Sequence, residues 1–387
     1  MQGNTKYDVV IVGAGPAGAM LAYALASAGV QVLLIEKKNL PRYKPCGGGL
    51  TKRTLSVLPF DIEDVIEDYT YRVEVFVQNE RAFVKTREDP VVGMVMRDRF
   101  DHFLVRKAVS AGATLQEGTT FRSLSGSTGD LSVKTSKGLF KSQLVVGADG
   151  VNSRVARALG LKVRRRIMCA LEGEVFCSDS KTLMALKNAA HFDFGVVPRG
   201  YAWIFPKRDH LSIGVLTTSR TVEHLKPYFT SYLKMKGLEG SAEVRSLKVH
   251  SIPYRADKRN ILSTEKGLLV GDATGFADPI TGEGIYYAVR GAQIASAVLV
   301  KGLSQGHEAV EKYTDTLKDQ FMPELANPQR LAHILYNYPN FSGRLLKRYG
   351  EKLGEYHVEV IRGENAYAGL HKSVLKLPSL GPALFSK

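Results

Sequence analysis

Apolar residues near the start of the chain fall into two short runs, Asp8–Val12 and Gln31–Ile35, and each run predicts a buried strand. The segment between them carries apolar residues at the spacing of one helix face: Met20, Leu21, Ala24, Leu25 and Ala28. Gly29 is expected to end that helix, because glycine commonly follows the last helical turn. The pattern therefore predicts a βαβ unit over residues 7–37.

The turn that leads into this helix reads Gly13-Ala14-Gly15-Pro16-Ala17-Gly18. Gly13 allows a tight turn, Gly15 lets the backbone approach a pyrophosphate, and Gly18 lets the helix pack closely on the strand. The helix N-terminus offers free N–H groups and a partial positive charge to such an anion. Glu36 ends the second strand, where a carboxylate can accept hydrogen bonds from ribose hydroxyls. The unit therefore indicates a dinucleotide site.

The pattern changes period twice in the next part of the chain. Residues 71–86 alternate around Gln78-Asn79-Glu80 and predict an antiparallel hairpin. A helix that Gly112 ends is then predicted by residues on one face: Phe100, Leu104 and Ala108. By contrast, residues 38–53 contain two prolines and a glycine run and are expected to lack regular structure.

Two later strand-to-helix turns repeat the style of the first unit. Strands over residues 121–146 are followed by Gly147-Ala148-Asp149-Gly150, where Asp149 is placed to hold backbone N–H groups. A strand over Gly267–Val270 leads to Gly271-Asp272, and a helix is expected to start at Ile285, directly after Gly282-Glu283-Gly284. The amides of that helix start could hold an electron-rich group.

The block between these turns, residues 161–264, is the least helical part of the chain. Strands are predicted at four places: Leu171–Phe176, His191–Val197, Gly200–Phe205 and Leu211–Thr217. One of them holds Trp203, the only tryptophan, and such an aromatic group is more often core than site unless the sheet roofs a cavity. Residues 307–387 have a helical pattern, and their apolar end, Leu375–Ser386, would cap the body, contact a membrane or dimerise.

Charge and cysteine content narrow the class of protein. The 53 Lys and Arg against 38 Asp and Glu give a net charge of +15, which fits phosphate-bearing ligands, an acidic membrane surface or simply a basic protein. No nucleic-acid motif accompanies this charge. Three cysteines without metal-ligand spacing fit a reducing compartment. With neither a signal-peptide pattern nor an apolar run long enough to span a bilayer, a cytoplasmic protein is expected, with at most peripheral contact with the inner face of the membrane.

Together, the first glycine turn with Glu36, the turn at residues 147–150 and Gly271-Asp272 resemble the FAD-dependent group that includes aromatic hydroxylases. Three further strings resemble the geranylgeranyl reductase family: Lys44-Pro45-Cys46-Gly47-Gly48, Tyr201-Ala202-Trp203-Ile204-Phe205-Pro206 and Gly282-Glu283-Gly284-Ile285. The motifs cover the chain in family order from Tyr7 to about Val300, and beyond residue 310 only a helical character matches.

This resemblance implies an α/β protein with a Rossmann-like FAD-binding domain, an antiparallel-sheet substrate domain whose sheet roofs the flavin, and a C-terminal helical region. The FAD domain would be discontinuous, over residues 1–70, 96–160 and 265–310. The substrate domain would comprise residues 71–95 and 161–264, and the helical region residues 311–387.

The resemblance also assigns roles to residues. The pyrophosphate would be held by Gly13, Ala14, Gly15, Ala17 and Gly18. Glu36 would bind the adenosine ribose, with Lys37 beside it, and Phe121 would neighbour the adenine. Cys46, Gly47 and Gly49 would lie beside the flavin ring. The remaining cofactor positions would be Arg97 and Asp272 on the FAD linker, Asp149 in its turn, and the amides of Gly282, Gly284 and Ile285 at the flavin's pyrimidine edge.

The implied activity is saturation of isolated double bonds in a geranylgeranyl chain carried by a diphosphate, a chlorophyll ester, an ether lipid or a quinone. An isolated alkene is a poor hydride acceptor, so its reduction needs a strong reductant aligned with one carbon and a proton for the other. Reduced FAD would supply the hydride, with NADPH or reduced ferredoxin as electron donor. Tyr201 and Trp203 would line the prenyl channel, and Cys46, Tyr201 or a bound water would give the proton.

The sequence is also compatible with two other functions. A flavin-dependent monooxygenase or halogenase could use the same scaffold, since Tyr201–Pro206 partly resembles a halogenase tryptophan motif. A non-catalytic flavin-binding or membrane-surface protein would fit the charge. Neither accounts for Cys46-Gly47-Gly48 and Gly282-Glu283-Gly284-Ile285 together.

Overall fold

The computed structural model describes residues 6–254 and 256–365. Strands in the first part of the chain are β1 (Lys6–Val12), β2 (Val32–Ile35), β3 (Gly49–Thr51), β4 (Ile66–Thr70), β5 (Arg72–Val77), β6 (Glu80–Thr86), β7 (Val92–Val95), β8 (Thr114–Gln116), β9 (Phe121–Ser127), β10 (Asp130–Thr135) and β11 (Gly138–Gly147). Its helices are α1 (Pro16–Ser27), α2 (Lys52–Ser56), α3 (Arg97–Ser110) and α4 (Arg154–Ala158).

The second part contributes the remaining strands, β12 (Arg166–Cys177), β13 (Ala190–Phe194), β14 (Gly200–Pro206), β15 (Leu211–Thr217), β16 (Ala242–Tyr254), β17 (Ser263–Thr264) and β18 (Gly267–Leu269). Its helices are α5 (Ser180–Lys187), α6 (Lys226–Met235), α7 (Ile285–Gln305), α8 (Glu308–Glu311), α9 (Tyr313–Asn337) and α10 (Pro339–Arg362). Short 3₁₀ turns occupy Glu63–Val65 and Gly271–Thr274.

The first sheet has the order β17-β18-β11-β1-β2-β8, with the β9–β10 hairpin continuing antiparallel from β11. Strands β18, β11, β1, β2 and β8 run parallel, as expected for strands joined by helical crossovers. Helix α1 packs between this sheet and helices α3 and α7, with Met20 and Leu21 in the core. The predicted βαβ unit is confirmed, and the fold is the expected Rossmann-like α/β architecture.

The second sheet has seven strands in the order β16-β12-β15-β14-β13-β5-β6. Its two faces alternate along each strand, as the pleat requires. On β14, Tyr201 and Trp203 belong to one core cluster, whereas Ala202 and Ile204 belong to another that packs against α6. The hairpin predicted over residues 71–86 is confirmed as β5 and β6, with Gln78 and Asn79 at positive φ in its turn.

Three features of this part of the chain differ from the sequence-based expectation. The expectation of irregular structure over residues 38–53 is wrong at its end, because β3 pairs with β7 and α2 begins at Lys52, capped by Thr51. Strand β7 lies in a small sheet with β3 and β4, so the end of the predicted 71–95 segment is not part of the seven-stranded sheet. The block 161–264 also contains α5, α6 and the long strand β16, which the pattern did not indicate.

Helices α9 and α10 lie against the seven-stranded sheet. Helix α10 packs on β6, where a Cβ at Gly350 or Gly354 would come within 2.6 or 2.2 Å of the Phe83 ring. These glycines let the helix approach the sheet closely. The apolar segment Leu375–Ser386 lies outside the described residues. No helix within the described ranges is long and apolar enough to cross a membrane.

Candidate active site

A cavity of about 320 Å³ lies where the glycine turns, the seven-stranded sheet and the C-terminal helices meet. At one end it is bordered by backbone from the turns around Gly15, Cys46, Gly271 and Gly284. Its other end is apolar, with walls from the sheet and from α9 and α10: Val73, Val75, Phe83, Phe192, Phe194, Leu216, Leu335, Phe341, Leu345, Leu346 and Ile361. The cavity is therefore polar at one end and suits a hydrocarbon at the other.

The glycine end fits a bound dinucleotide. A Cβ built at Gly15 meets no atom within 4 Å, so the backbone there faces open space beside the α1 N-terminus, which no side chain caps. In contrast, a Cβ at Gly13 would fall 2.3 Å from the Ala148 carbonyl oxygen, and one at Gly18 would fall 1.9 Å from the Gly13 carbonyl oxygen. Two glycines thus serve backbone packing, and the third leaves room for an anion at a helix start.

The turn before α7 is held by a buried arginine. Arg53 bonds Glu283 and, at 2.7 Å, Glu324 of α9, and its guanidinium lies 4.3 Å from the centre of the Tyr286 ring. Thr54 also donates to Glu283, at 2.9 Å. The Glu283 carboxylate is therefore held by these contacts, and it fixes the backbone of the two glycines beside it.

The amides of that turn are only partly available. Gly282 N–H donates to the Asp278 carbonyl at 2.9 Å. Ile285 opens α7, where first-turn N–H groups have no carbonyl partner inside the helix. Gly284 and Asp272 border the same end of the cavity. The predicted role, donation of an amide to the flavin's pyrimidine edge, therefore suits Gly284 and Ile285 better than Gly282, whose N–H is already engaged.

Cys46 sits in a positively charged corner of the cavity. Its sulfur accepts from Gly48 N–H at 3.4 Å, and Arg97 and Lys44 lie nearby. Burial alone would raise the pKa of the Cys46 thiol, but these two cations bring it below its ordinary value. Arg97 is itself tied to Asp101, at 2.7 and 3.0 Å, so its predicted cofactor contact would come in addition to this ion pair.

Lys207 is fully buried and shapes the loop that carries Cys46. Its ammonium donates to the carbonyls of Gly47 at 2.7 Å and Val95 at 3.0 Å. Burial lowers the pKa of Lys207. Gly48 in this loop has φ +64° and would place a Cβ 2.0 Å from the Val95 carbonyl oxygen. The loop is therefore fixed against β7 by a lysine and by a glycine that no larger residue could replace.

Tyr201 and Trp203 both face the cavity, as the resemblance implied. The Tyr201 hydroxyl donates to the Thr281 carbonyl, and burial raises the pKa of Tyr201. The Trp203 ring packs against Gly214, where an added Cβ would come within 2.1 Å of it. Its Nε1 is buried and finds no hydrogen-bond partner among the described residues.

The other predicted cofactor residues lie outside the cavity lining. They are Gly13, Ala14, Gly18, Glu36, Lys37, Phe121 and Asp149. Asp149 accepts from the N–H groups of Arg154 and Val155 at 2.6 and 3.2 Å, as its turn position indicated. Glu36 accepts from Ala14 N–H at 3.0 Å and Lys38 N–H at 3.1 Å. Their cofactor roles stay predictions.

Replacing Glu36 by alanine is expected to weaken FAD binding by about 10- to 100-fold, since a charge-assisted hydrogen bond contributes roughly 1.5–3 kcal/mol. Titration of apoprotein with FAD, followed by flavin fluorescence, measures this. Asp130→Ala, at an exposed carboxylate of the same sheet, serves as control. An unchanged dissociation constant in Glu36→Ala would show that Glu36 does not hold the ribose.

Several residues of the site were not identified from the sequence. The apolar walls from α9 and α10 follow an ordinary amphipathic pattern, and nothing in it names the surface that the helices cover. Glu172, buried at the cavity wall, and Lys207, buried just after β14, stand at positions where the residue type alone would predict a solvent-facing charge. Only the alternation of β12, which places Glu172 on the same face as Ala170, could have located the carboxyl.

The profile of the FAD binding domain family matches residues 6–319. An uncharacterised protein of Methanosarcina barkeri is 38% identical over 302 residues, covering 78% of this chain and 76% of that protein. The digeranylgeranylglycerophospholipid reductase of Methanocaldococcus jannaschii is 30% identical over 379 residues, covering 91% of this chain and 92% of that protein.

Solved structures agree on the fold. A geranylgeranyl bacteriochlorophyll reductase-like protein of Thermoplasma acidophilum aligns with a TM-score of 0.81 at 22% identity, over 96% of both chains. A flavin-dependent brominase aligns with a TM-score of 0.75 at 19% identity, over 96% of this chain and 98% of the other. At these identities the likeness concerns the fold alone.

Proposed function

This chain belongs to the geranylgeranyl reductase family of FAD-binding proteins, and on that premise we propose that it saturates isolated double bonds of a geranylgeranyl or related prenyl chain. The observation that carries the proposal is the shape of the cavity. It joins the glycine turns, where the flavin is expected, to an apolar compartment between the sheet and α9 and α10. A flexible hydrocarbon fits such a compartment, and a small polar aromatic substrate would leave most of it unfilled.

Bound FAD in its reduced form supplies a hydride. The protein's part is to place one alkene carbon against the hydride donor and to keep water away, and orientation of this kind contributes a large share of the rate. Trp203, Tyr201 and Phe205 border the expected flavin end. The apolar compartment is lined by side chains of α9 and α10, such as Leu335 and Leu345.

The carrier of the prenyl chain is a diphosphate, a lipid, a chlorophyll or a quinone. The 30% identity over almost the whole chain to a digeranylgeranylglycerophospholipid reductase supports a lipid-linked chain. NADPH or reduced ferredoxin would be the electron donor. Either donor would act by reducing the flavin. The choice between them therefore does not change the residues that hold the alkene.

The proposal is tested with FAD-loaded protein, dithionite as reductant and geranylgeranyl substrates in the absence of oxygen. The expected product gains hydrogen atoms in pairs, as read by mass spectrometry. A monooxygenase or halogenase with the same fold would instead give a product that gains oxygen or halogen, and only when air is admitted. Substrate left unchanged without oxygen would contradict the reductase.

A further inference from the structure

We propose that Glu172 gives the proton that prenyl-chain reduction requires, and that Tyr43, Glu174, His210 and Asp209 return a proton to it from solvent. This inference rests on the proposed reductase function. A series of polar groups leads from the cavity wall to the surface, and neither the glycine turns nor the apolar walls account for it.

Glu172 stands at the inner end of this series. It projects from β12 into the cavity wall and is 2% exposed. Its Oε1 accepts from the Ser212 hydroxyl at 3.2 Å, and no donor of the described residues reaches its Oε2. The Glu174 carboxyl is its neighbour, since the Tyr43 hydroxyl lies 3.4 Å from Oε1 of both residues. Two neighbouring carboxyls in a buried place cannot both ionise cheaply, which favours a proton on Glu172.

The surroundings keep that proton on Glu172. Burial raises the pKa of Glu172 well above the ordinary range for a carboxyl, and the negative charges of Glu174 and Cys46 raise it further. The opposing influence comes from Lys207, whose ammonium is held by two backbone carbonyls. These influences favour the neutral form of Glu172 at the cavity wall, the form that can protonate a carbon.

A continuous series of contacts links Glu172 to the surface. The Tyr43 hydroxyl lies 3.4 Å from Oε1 of both Glu172 and Glu174. Glu174 Oε2 lies 3.1 Å from His210 Nε2, and His210 Nδ1 lies 2.7 Å from Asp209 Oδ1. The Asp209 side chain is 72% exposed. Because a hydroxyl and an imidazole can each accept a proton on one side and donate on the other, the series can carry protons inward.

His210 is suited to this task. Burial alone would lower the pKa of His210, but hydrogen bonds to Glu174 and Asp209 hold it above the ordinary value for imidazole. Its ring also stacks on Phe176, with ring centres 4.5 Å apart, which fixes its orientation. The imidazole can thus take up a proton at the solvent end and pass it to Glu174.

The other candidate acids are less well placed. Tyr201 donates its hydroxyl proton to the Thr281 carbonyl, and burial raises its pKa. The pKa of the Cys46 thiol is lowered by Arg97 and Lys44 against the effect of burial, so its surroundings hold a proton less firmly than those of Glu172 do. Lys44 is engaged with His250 Nε2 at 3.2 Å. Glu172 is the acid that combines a retained proton, a place on the cavity wall and a route of resupply.

The hydride that the reduced cofactor supplies adds to one alkene carbon, while the Glu172 O–H bond breaks and a C–H bond forms on the neighbouring carbon. The electron pair of the O–H bond stays on the carboxylate. A proton from water then passes along Asp209, His210, Glu174 and Tyr43 and restores the acid. The alkene gains two electrons, and the cofactor loses two.

The first test needs no substrate. The infrared spectrum of FAD-loaded protein at neutral pH is expected to contain a protonated carboxyl band that shifts in D₂O. The band should disappear in Glu172→Gln and persist in Glu74→Gln, a buried glutamate of the same sheet that pairs with Arg72 and Arg81. In His210→Phe the band should remain but shift severalfold more slowly after transfer to D₂O. A band that persists in Glu172→Gln overturns the proposal.

The second test follows one turnover of reduced protein with a geranylgeranyl substrate, without oxygen. Glu172→Gln should slow alkene reduction by about 100-fold or more, the usual contribution of a general acid, and Glu172→Asp should restore part of the rate. If the parent itself reduces no alkene, the proposed function fails while the infrared result still stands. If the parent reduces the alkene and Glu172→Gln is equally fast, the proton assignment is wrong.

Discussion

Replacing Gly15 by alanine is expected to remove tightly bound FAD while leaving the apoprotein folded. Gly15 has φ −80° and ψ −177°, a conformation that alanine adopts without strain, and its added Cβ would meet no protein atom within 4 Å. The methyl group would instead occupy the space beside the α1 N-terminus that a pyrophosphate needs. Weakening two charge-assisted hydrogen bonds costs about 3 kcal/mol or more, a loss of at least roughly 100-fold in affinity.

The measurement pairs FAD titration with denaturant unfolding of the apoprotein. Gly15→Ala should change the free energy of unfolding by no more than about 1 kcal/mol, the scale of a helix N-cap effect. Gly18→Ala provides the contrast, because its Cβ would fall 1.9 Å from the Gly13 carbonyl oxygen and should destabilise the apoprotein itself. Parental FAD affinity in Gly15→Ala would place the pyrophosphate elsewhere.

Replacing Trp203 by alanine is expected to leave FAD bound and to slow alkene reduction by about 100-fold, the effect of a misplacement of roughly 1 Å in an aligned reaction. The ring lies between the expected flavin end and the apolar compartment, so it sets how a flexible chain lies at the reacting position. Reduction of the bound flavin by dithionite should keep its parental rate. The readout is the rate of flavin reoxidation when geranylgeranyl substrate is added without oxygen.

Ile204→Val is the matched control, because Ile204 is buried on the same strand but on the opposite face. It should cost about 0.5–1.5 kcal/mol of stability and leave the rate unchanged, which separates alignment from general loosening of the sheet. If Trp203→Ala reoxidises as fast as the parent and gives the same product, Trp203 is a core residue. The channel would then be built by other side chains.

Local sequence patterns were enough to predict the parts of the site that depend on backbone conformation. The glycine turn at residues 13–18, the hairpin around Asn79 and the helix start at Ile285 each follow from turn chemistry and hydrophobic period, and the structure has all three. Strand β3 and helix α2 were missed because pairing with β7 overrides the irregular composition of residues 38–53. That pairing joins residues far apart in the chain, and no local pattern reports it.

The sequence predicted only part of the candidate site, because the rest depends on contacts between residues far apart in the chain. Cys46, Trp203 and Asp272 carry recognisable motifs, and all three border the cavity. Glu172 has no motif, because its role depends on burial, on Glu174 two positions away and on Tyr43 from a distant loop. The apolar walls depend on how α9 and α10 pack on the sheet. Gly350 and Gly354 allow close packing of α10, but these glycines alone do not predict it.

Reduction of a prenyl double bond by the bound flavin can be followed in a single turnover without oxygen. Holoenzyme reduced with dithionite is mixed, without oxygen, with a geranylgeranyl substrate, and flavin absorbance and product mass are followed together. For a prenyl reductase, the flavin should reoxidise and one double bond should be saturated for each flavin oxidised. A flavin that stays reduced until air is admitted, with the prenyl chain unchanged, would contradict this function.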